Sequence, residues 1–212
     1  MGTAAANVAV KLMVARRGQL YREGVVSEDQ LYARAMLSTL VIVEHVSGDQ
    51  WHASTPCAEW DARQVLNHLI GENLWAGELL LGKTIDEVGT TLDGDLTGDD
   101  PAAAYRRSVE VAVQAVQAPG AMEATCHLSF GDYSGADYAR QLFMDTLIHG
   151  WDIATGTGQQ ARMDPELVAP CLPIADELTR TFRAAGVFGD ELPVADATDP
   201  QTRLLALVGR RV

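Results

Sequence analysis

Residues 142–158 read LFMDTLIHGWDIATGTG. Most of the stretch is apolar, as a buried helix should be, but three polar residues interrupt it. Asp145, His149 and Asp152 follow one another at spacings of four and three. Four residues advance an α-helix by about 400°, so Asp145 and His149 project from nearly one face, one turn apart. A plain core helix has no need of two carboxylates and an imidazole on one stripe. The stretch therefore predicts a helix that turns a polar stripe toward a partner, ending in the TGTG that follows.

The rest of the chain supplies partners of the same kind. SEDQLYARAMLSTLVIVEHV (27–46) predicts a helix with Ser27 as N-cap and acidic residues in its first turn. WHASTPCAEW (51–60) predicts a loop, because the residue before a proline disfavours helix. A second helix, DARQVLNHLIGENLWAGELLLG (61–82), carries Val65, Leu66, Leu69, Ile70 and Leu74 at helical spacing, with His68 in its middle. Pro101 opens a third over 101–117, and Pro119-Gly120 closes it. ATCHLSFGDYSG (124–135) alternates weakly and predicts a short extended segment. The fourth helix runs from about Gly135 to Thr155. A fifth follows over 164–186, interrupted near Pro170 and Pro173, and a short last helix spans 200–210. Long helices with little strand signal indicate an all-α bundle with extra short C-terminal helices. Residues 1–26 read as an N-terminal extension, helical or disordered, and 27–212 as one bundle domain.

Composition narrows the function classes. The chain has 212 residues, 47% of them hydrophobic, enough for a core without staples. Its formal net charge of −13 repels phosphate backbones and argues against nucleic acid as a partner. Cys57, Cys126 and Cys171 are scattered and form no CxxC pair, so neither a disulfide framework nor a thiolate zinc site is indicated, and a cytoplasmic setting is expected. No apolar run approaches about 18 residues, so no membrane span is expected. The GTG at 156–158 lacks the lysine and the preceding strand of a phosphate loop.

Asp145 and His149 one turn apart, with His68 from a facing helix, have the donor types of a three-ligand divalent-metal site that leaves a position open. Zn²⁺ suits these donors, as do Ni²⁺, Fe²⁺ and Mn²⁺. Spacing alone is a weak signal, since a histidine on an apolar helix is more often a hydrogen-bonded core residue. Glu72, one turn after His68, reads as a general base, an acceptor supporting a ligand, or a solvated residue. Asp152 reads as an orienting carboxylate for His149 or as part of the following loop. Trp51, Trp60, Trp75 and Trp151 read as packing anchors, with Trp75 and Trp151 close enough in sequence to line a pocket. Arg63 and Arg140 are candidate contacts for an acidic substrate, and Cys57 reads as structural rather than reactive.

Three stretches, TPCAEWDARQVLNHLIGEN (55–73), DTLIHGWDIATGTGQ (145–159) and FGDELPVADATDPQTRLLALVGRR (188–211), resemble one family. They are similar to actinobacterial metal-binding proteins related to the N-terminal domain of mycothiol-dependent maleylpyruvate isomerase, within the DinB-like superfamily. The resemblance implies a DinB-like four-helix bundle with a metal at one end of its core. By that resemblance the ligands are His68, Asp145 and His149, with aspartate standing where the isomerase has glutamate. It also implies a transferase or isomerase type of activity, in which the metal activates a thiol, mycothiol in that family, or water toward an electrophilic small molecule. Glu72 or Asp152 would handle protons or orient ligands. The isomerase continues into a separate C-terminal domain where this sequence stops, so the expected activity is of the family's kind rather than the isomerase reaction itself. Two other expectations stay open: a lyase, hydrolase or cyclase that uses no thiol, and a non-catalytic metal- or ligand-binding bundle. For the latter, the apolar LSTLVIVEHV (37–46) offers a face for pairing as a homodimer.

Overall fold

The computed structural model describes residues 26–183, 186, 188–195 and 199–212. The expected N-terminal extension at 1–26 lies, apart from Val26, outside the described residues. Seven α-helices are present among the described residues: α1 (Glu28–Val43), α2 (Ala62–Leu79), α3 (Ile85–Val88), α4 (Pro101–Val116), α5 (Gly135–Gly156), α6 (Pro165–Phe182) and α7 (Pro200–Leu207). A short 3-10 helix (Gly48–His52) leads into the loop before α2.

Local chemistry starts most of these helices. Asp61 accepts from the Gln64 backbone N–H while the Gln64 side chain accepts from the Asp61 backbone N–H, a reciprocal cap on α2. Asp100, Ser134, Asp164 and Asp199 likewise accept first-turn N–H groups of α4, α5, α6 and α7. Ser27 does occupy the N-cap of α1, but its side chain makes no capping bond. The weakly alternating stretch forms a hairpin, β1 (Thr125–Leu128) antiparallel to β2 (Gly131–Ser134), paired from Thr125 with Ser134 to Leu128 with Gly131.

The predicted break in α6 does not occur: the helix runs through Pro170 and Pro173. Each proline removes an N–H that would have bonded the carbonyl four residues earlier, on Glu166 or Ala169. Both of those residues are exposed, so the freed carbonyls belong to the solvent-facing side, while Leu167, Cys171, Ile174 and Ala175 keep the other face buried.

Four helices make the bundle. α1 packs along α5 and α2 along α4, and further contacts of α1 with α4 and of α2 with α5 close the square. α6 lies outside against α5, and α7 packs on α6. Six of the buried positions of α1 (Tyr32, Ala35, Met36, Thr39, Leu40, Val43) recur at three and four, the helical period, and Leu31 and Ala33 widen the buried face. Of the apolar residues at 37–46, Leu40, Val43 and Val46 enter the core, Leu37 and Ile42 pack against it, and Val41 is exposed. A buried polar chain crosses the bundle: Tyr32 Oη donates to Asn73 Oδ1 (2.6 Å), and Asn73 Nδ2 donates to Ser108 Oγ (3.0 Å). Satisfied in this way, the chain specifies how α1, α2 and α4 face one another.

Gly150 sets the approach of α1 to α5. A Cβ there would collide with Thr39 Oγ1 and lie 3.3 Å from Thr39 Cβ. Thr39 is buried, branched at Cβ and donates to the Thr146 carbonyl, so it has no room to yield. Gly150→Ala is expected to cost about 1–3 kcal/mol, a fall in melting temperature of roughly 2–4 °C for each kcal/mol in a chain of this size. The double variant Thr39→Ala/Gly150→Ala should regain part of that loss; thermal unfolding of the three proteins checks both statements.

Candidate metal centre

His68 stands in the middle of α2, and Asp145 and His149 stand one turn apart on α5. Packing of α2 on α5 brings the three together. His68 Nε2 lies 3.0 Å from Asp145 Oδ2, and His149 Nε2 lies 3.4 Å from Asp145 Oδ1. One donor atom from each residue falls within 4.8 Å of the other two. An ion held tetrahedrally at about 2.0–2.2 Å spaces its donors roughly 3.3–3.6 Å apart. Two imidazoles and a carboxylate at these separations therefore fit a divalent cation with small side-chain adjustment. The indole of Trp60 covers both rings, with centroids 5.0 Å from His68 and 5.7 Å from His149.

The charges are tightly coupled. Burial works against a protonated His68, but the charge and hydrogen bond of Asp145, with Glu72 behind it, outweigh burial and raise its pKa to about 9. Burial likewise works against the Asp145 carboxylate, yet His68 and His149 hold its pKa down to about 2. Glu72, one turn along α2 from His68, has the opposite fate. Burial first, then the Asp145 charge, raises its pKa to about 7 against the pull of the two histidines. Without a cation the cluster is thus an ion pair between Asp145 and His68. A cation must displace that proton, so metal uptake competes with acid.

Asp152 is fully buried and lies behind His149. Its Oδ2 sits 2.9 Å from His149 Nδ1, the ring nitrogen facing away from Asp145. The same carboxylate receives Arg210 Nε on Oδ1 and Arg210 Nη2 on Oδ2, each at 2.9 Å. Cys57, in the loop before α2, places its thiol within 4.8 Å of donor atoms of His149 and Asp152. That second set is the poorer cage, because the guanidinium already occupies both oxygens of Asp152 and repels a cation there. Burial, more than Arg210 can offset, pushes the Cys57 thiol up, away from the reactive thiolate.

His68 also lines a cleft of about 380 Å³, together with Trp60, Arg63, Gln64, Asn67, Gly94 and Asp95. Asn67 donates to the Gly94 carbonyl (3.0 Å) and accepts from the Leu96 N–H (2.7 Å), which pins the 94–96 loop to α2 as the far wall.

The sequence-predicted set divides accordingly. His68, Asp145 and His149 converge, Asp152 contacts His149, and Glu72 is electrostatically coupled to the three. Arg63 reaches the cleft but is bonded to Asp95 (3.0 Å) and the Gly98 carbonyl (2.8 Å). Arg140 pairs with Glu177 and does not line the cleft. Among the tryptophans it is Trp60, not Trp75 or Trp151, that lines it. The proximity of Cys57 and Arg210 was not read from the residues. Their one signal was membership of the first and last of the three family-like stretches, which carries no geometry.

A helical bundle that brings two histidines and a carboxylate together beside a cleft defines the class of protein. The profile of the mycothiol maleylpyruvate isomerase N-terminal domain matches residues 32–154, more than half of the chain, and the chain belongs to that family. The matched stretch contains all three converging residues and Asp152, but not Arg210. Two uncharacterized proteins of Mycobacterium tuberculosis, from two strains, are each 31% identical over 183 residues, covering 85% of this chain and 96% of their own length. No solved structure matches. No helix among the described residues is long and apolar enough to cross a membrane.

The raised Glu72 carries a pH signature. In the folded, metal-free protein Glu72 keeps its proton until about pH 7, whereas an ordinary glutamate releases it near 4.5. The folded state therefore binds more protons across that window, and stability falls as pH rises through it. Glu72→Gln should be more stable than the parent at pH 8 in chelator, with the gap closing toward pH 4. Denaturant titrations at the two pH values test this; a gap of equal size at both would show that burial of the charge is not what perturbs Glu72.

Proposed function

We propose that this protein is a metal-dependent enzyme of the transferase or isomerase type. In this reading His68, Asp145 and His149 hold a divalent cation, zinc first among Zn²⁺, Ni²⁺, Fe²⁺ and Mn²⁺, and the substrate is an electrophilic small molecule. The observation that carries the reading is the convergence of two imidazoles and one carboxylate, one donor atom from each within 4.8 Å of the others, beside a cleft that His68 lines. When bound, such a cation lowers the pKa of a thiol or water beside it and so supplies a nucleophile at neutral pH. Family membership supports a low-molecular-weight thiol, mycothiol, as co-substrate.

The chain's own residues divide the remaining work. Trp60 packs against both imidazoles and lines the cleft beside them, so it limits approach from that side. Asp152 holds the His149 ring from behind, so that its Nε2 faces Asp145. Glu72 has a pKa of about 7 and is equally ready to take or return a proton at neutral pH, the property a general acid–base needs. Arg63, held by Asp95 and the Gly98 carbonyl, is the cationic side chain in the cleft lining and the candidate contact for an anionic substrate.

Elemental analysis of the protein loaded with zinc and desalted is expected to give about one ion per chain. His68→Ala and His149→Ala should each lose it while retaining the helical circular dichroism of the parent. Stoichiometric zinc in His149→Ala would overturn the ligand assignment. With the ion in place, turnover of electrophiles that depends on added thiol supports the transferase or isomerase reading. Turnover indifferent to thiol would assign a hydrolase, lyase or cyclase instead.

A further inference from the structure

The last turn of the chain is built to deliver one side chain into the core. α7 ends in a paired closure: Gly209 N–H donates to the Ala206 carbonyl (3.1 Å), and Arg210 N–H to the Leu205 carbonyl (2.8 Å). Gly209 has φ +76°, the left-handed conformation this closure requires and glycine adopts freely. Leu204, Leu205 and Val208 are buried, so the closure is anchored in the core. The chain reverses at Gly209, and the Arg210 guanidinium meets Asp152 from 58 residues away, in a two-pronged contact with both oxygens at 2.9 Å. Arg210 also donates to the Val208 carbonyl (3.4 Å), which steadies the planar group from its own side.

We infer that Arg210 is a positioning residue for the metal centre, acting through Asp152 on His149. The inference rests on the metal reading above. Asp152 has no exposure to water, and a carboxylate buried in this way needs a charge partner. Arg210 supplies the charge, and its fork fixes the plane of the carboxylate as a single-point cation would not. The oxygen that Arg210 Nη2 touches is also the one facing His149 Nδ1 at 2.9 Å. The guanidinium therefore holds the acceptor that holds the ring, and the ring's other nitrogen stays directed at the Asp145 side. Removing the fork leaves Asp152 free to turn and His149 free to follow. Such outer contacts commonly contribute 10–100-fold to metal affinity.

The test measures zinc affinity by chelator competition and the visible spectrum of the cobalt-loaded protein, in the full chain and in Arg210→Ala and Arg210→Lys. Thermal unfolding in chelator is recorded alongside. Zinc affinity is expected to fall 10–100-fold in Arg210→Ala, with altered cobalt band positions or intensities. Arg210→Lys, which keeps the charge without the fork, should recover stability more than affinity. If Arg210→Ala does not fold, Arg210→Lys decides alone: a changed cobalt spectrum and weakened zinc binding support the inference. Variants that melt earlier but bind zinc and cobalt as the parent does would show a merely structural ion pair and overturn it. A parent that takes up neither ion overturns the metal reading and this inference together, whereas parental uptake matched by both variants overturns this inference alone.

Discussion

Asp145 sits between two imidazoles, 3.0 Å from one and 3.4 Å from the other, and the surrounding architecture is arranged around that fact. A carboxylate set between two helices, with only 31% of its side chain still exposed here, needs charge or hydrogen bonds to replace the water it has lost. Here His68 and His149 replace it so well that its pKa falls to about 2, and the same field raises His68 to about 9. The cluster therefore holds α2 to α5 electrostatically where the core meets the cleft. Glu72 adds negative charge to this balanced pair only as it ionises near neutrality. A compact group of this kind, rich in donors and negative when deprotonated, is a natural receptor for a small cation.

The surrounding packing limits how far that cluster can relax. Gly150 lies on α5 between His149 and Asp152 and lets α1 come close enough for Thr39 to touch the helix backbone. The buried chain from Tyr32 through Asn73 to Ser108 registers three of the four bundle helices against one another. Asn73 is the residue after Glu72, so the same turn of α2 that presents Glu72 toward the charged cluster anchors itself to α1 and α4 on another side. The wall of the cleft is tied to α2 through Asn67, one residue before His68. His68, Glu72 and His149 are thus each next in sequence to a residue committed to packing, which limits how far the donors can move.

The family match covers residues 32–154 and with them His68, Asp145 and His149. The segment beyond that match adds the helix pair α6 and α7 and the returning Arg210. The two uncharacterized relatives align over 183 residues, so this chain and those proteins share more than the bundle alone.

How much of this was legible in the sequence follows from the range of the forces involved. Helices, caps and the polar stripe on α5 depend on contacts three or four residues apart, and Asp145, His149 and Asp152 could be read from their spacing. Pro101, Pro165 and Pro200, each following an aspartate cap, also mark their helix starts without ambiguity. The same local logic misjudged α6, where prolines suggested a break but solvent on the outer face tolerates the lost bonds. His68 could be nominated from its helix and from resemblance, not paired with Asp145 by spacing, because 77 residues separate them. The placement of Trp60 over both imidazoles depends on how the loop after Thr55-Pro56 folds, and that of Arg210 on a reversal 58 residues beyond Asp152. The sequence by itself determined the helices, their buried faces and the candidate donors, since these arise from short-range periodicity and capping. The tertiary structure alone decided which donors meet, which carboxylate is neutralised by which cation and which loop closes the cleft, because those outcomes depend on distances set by the packing of whole helices.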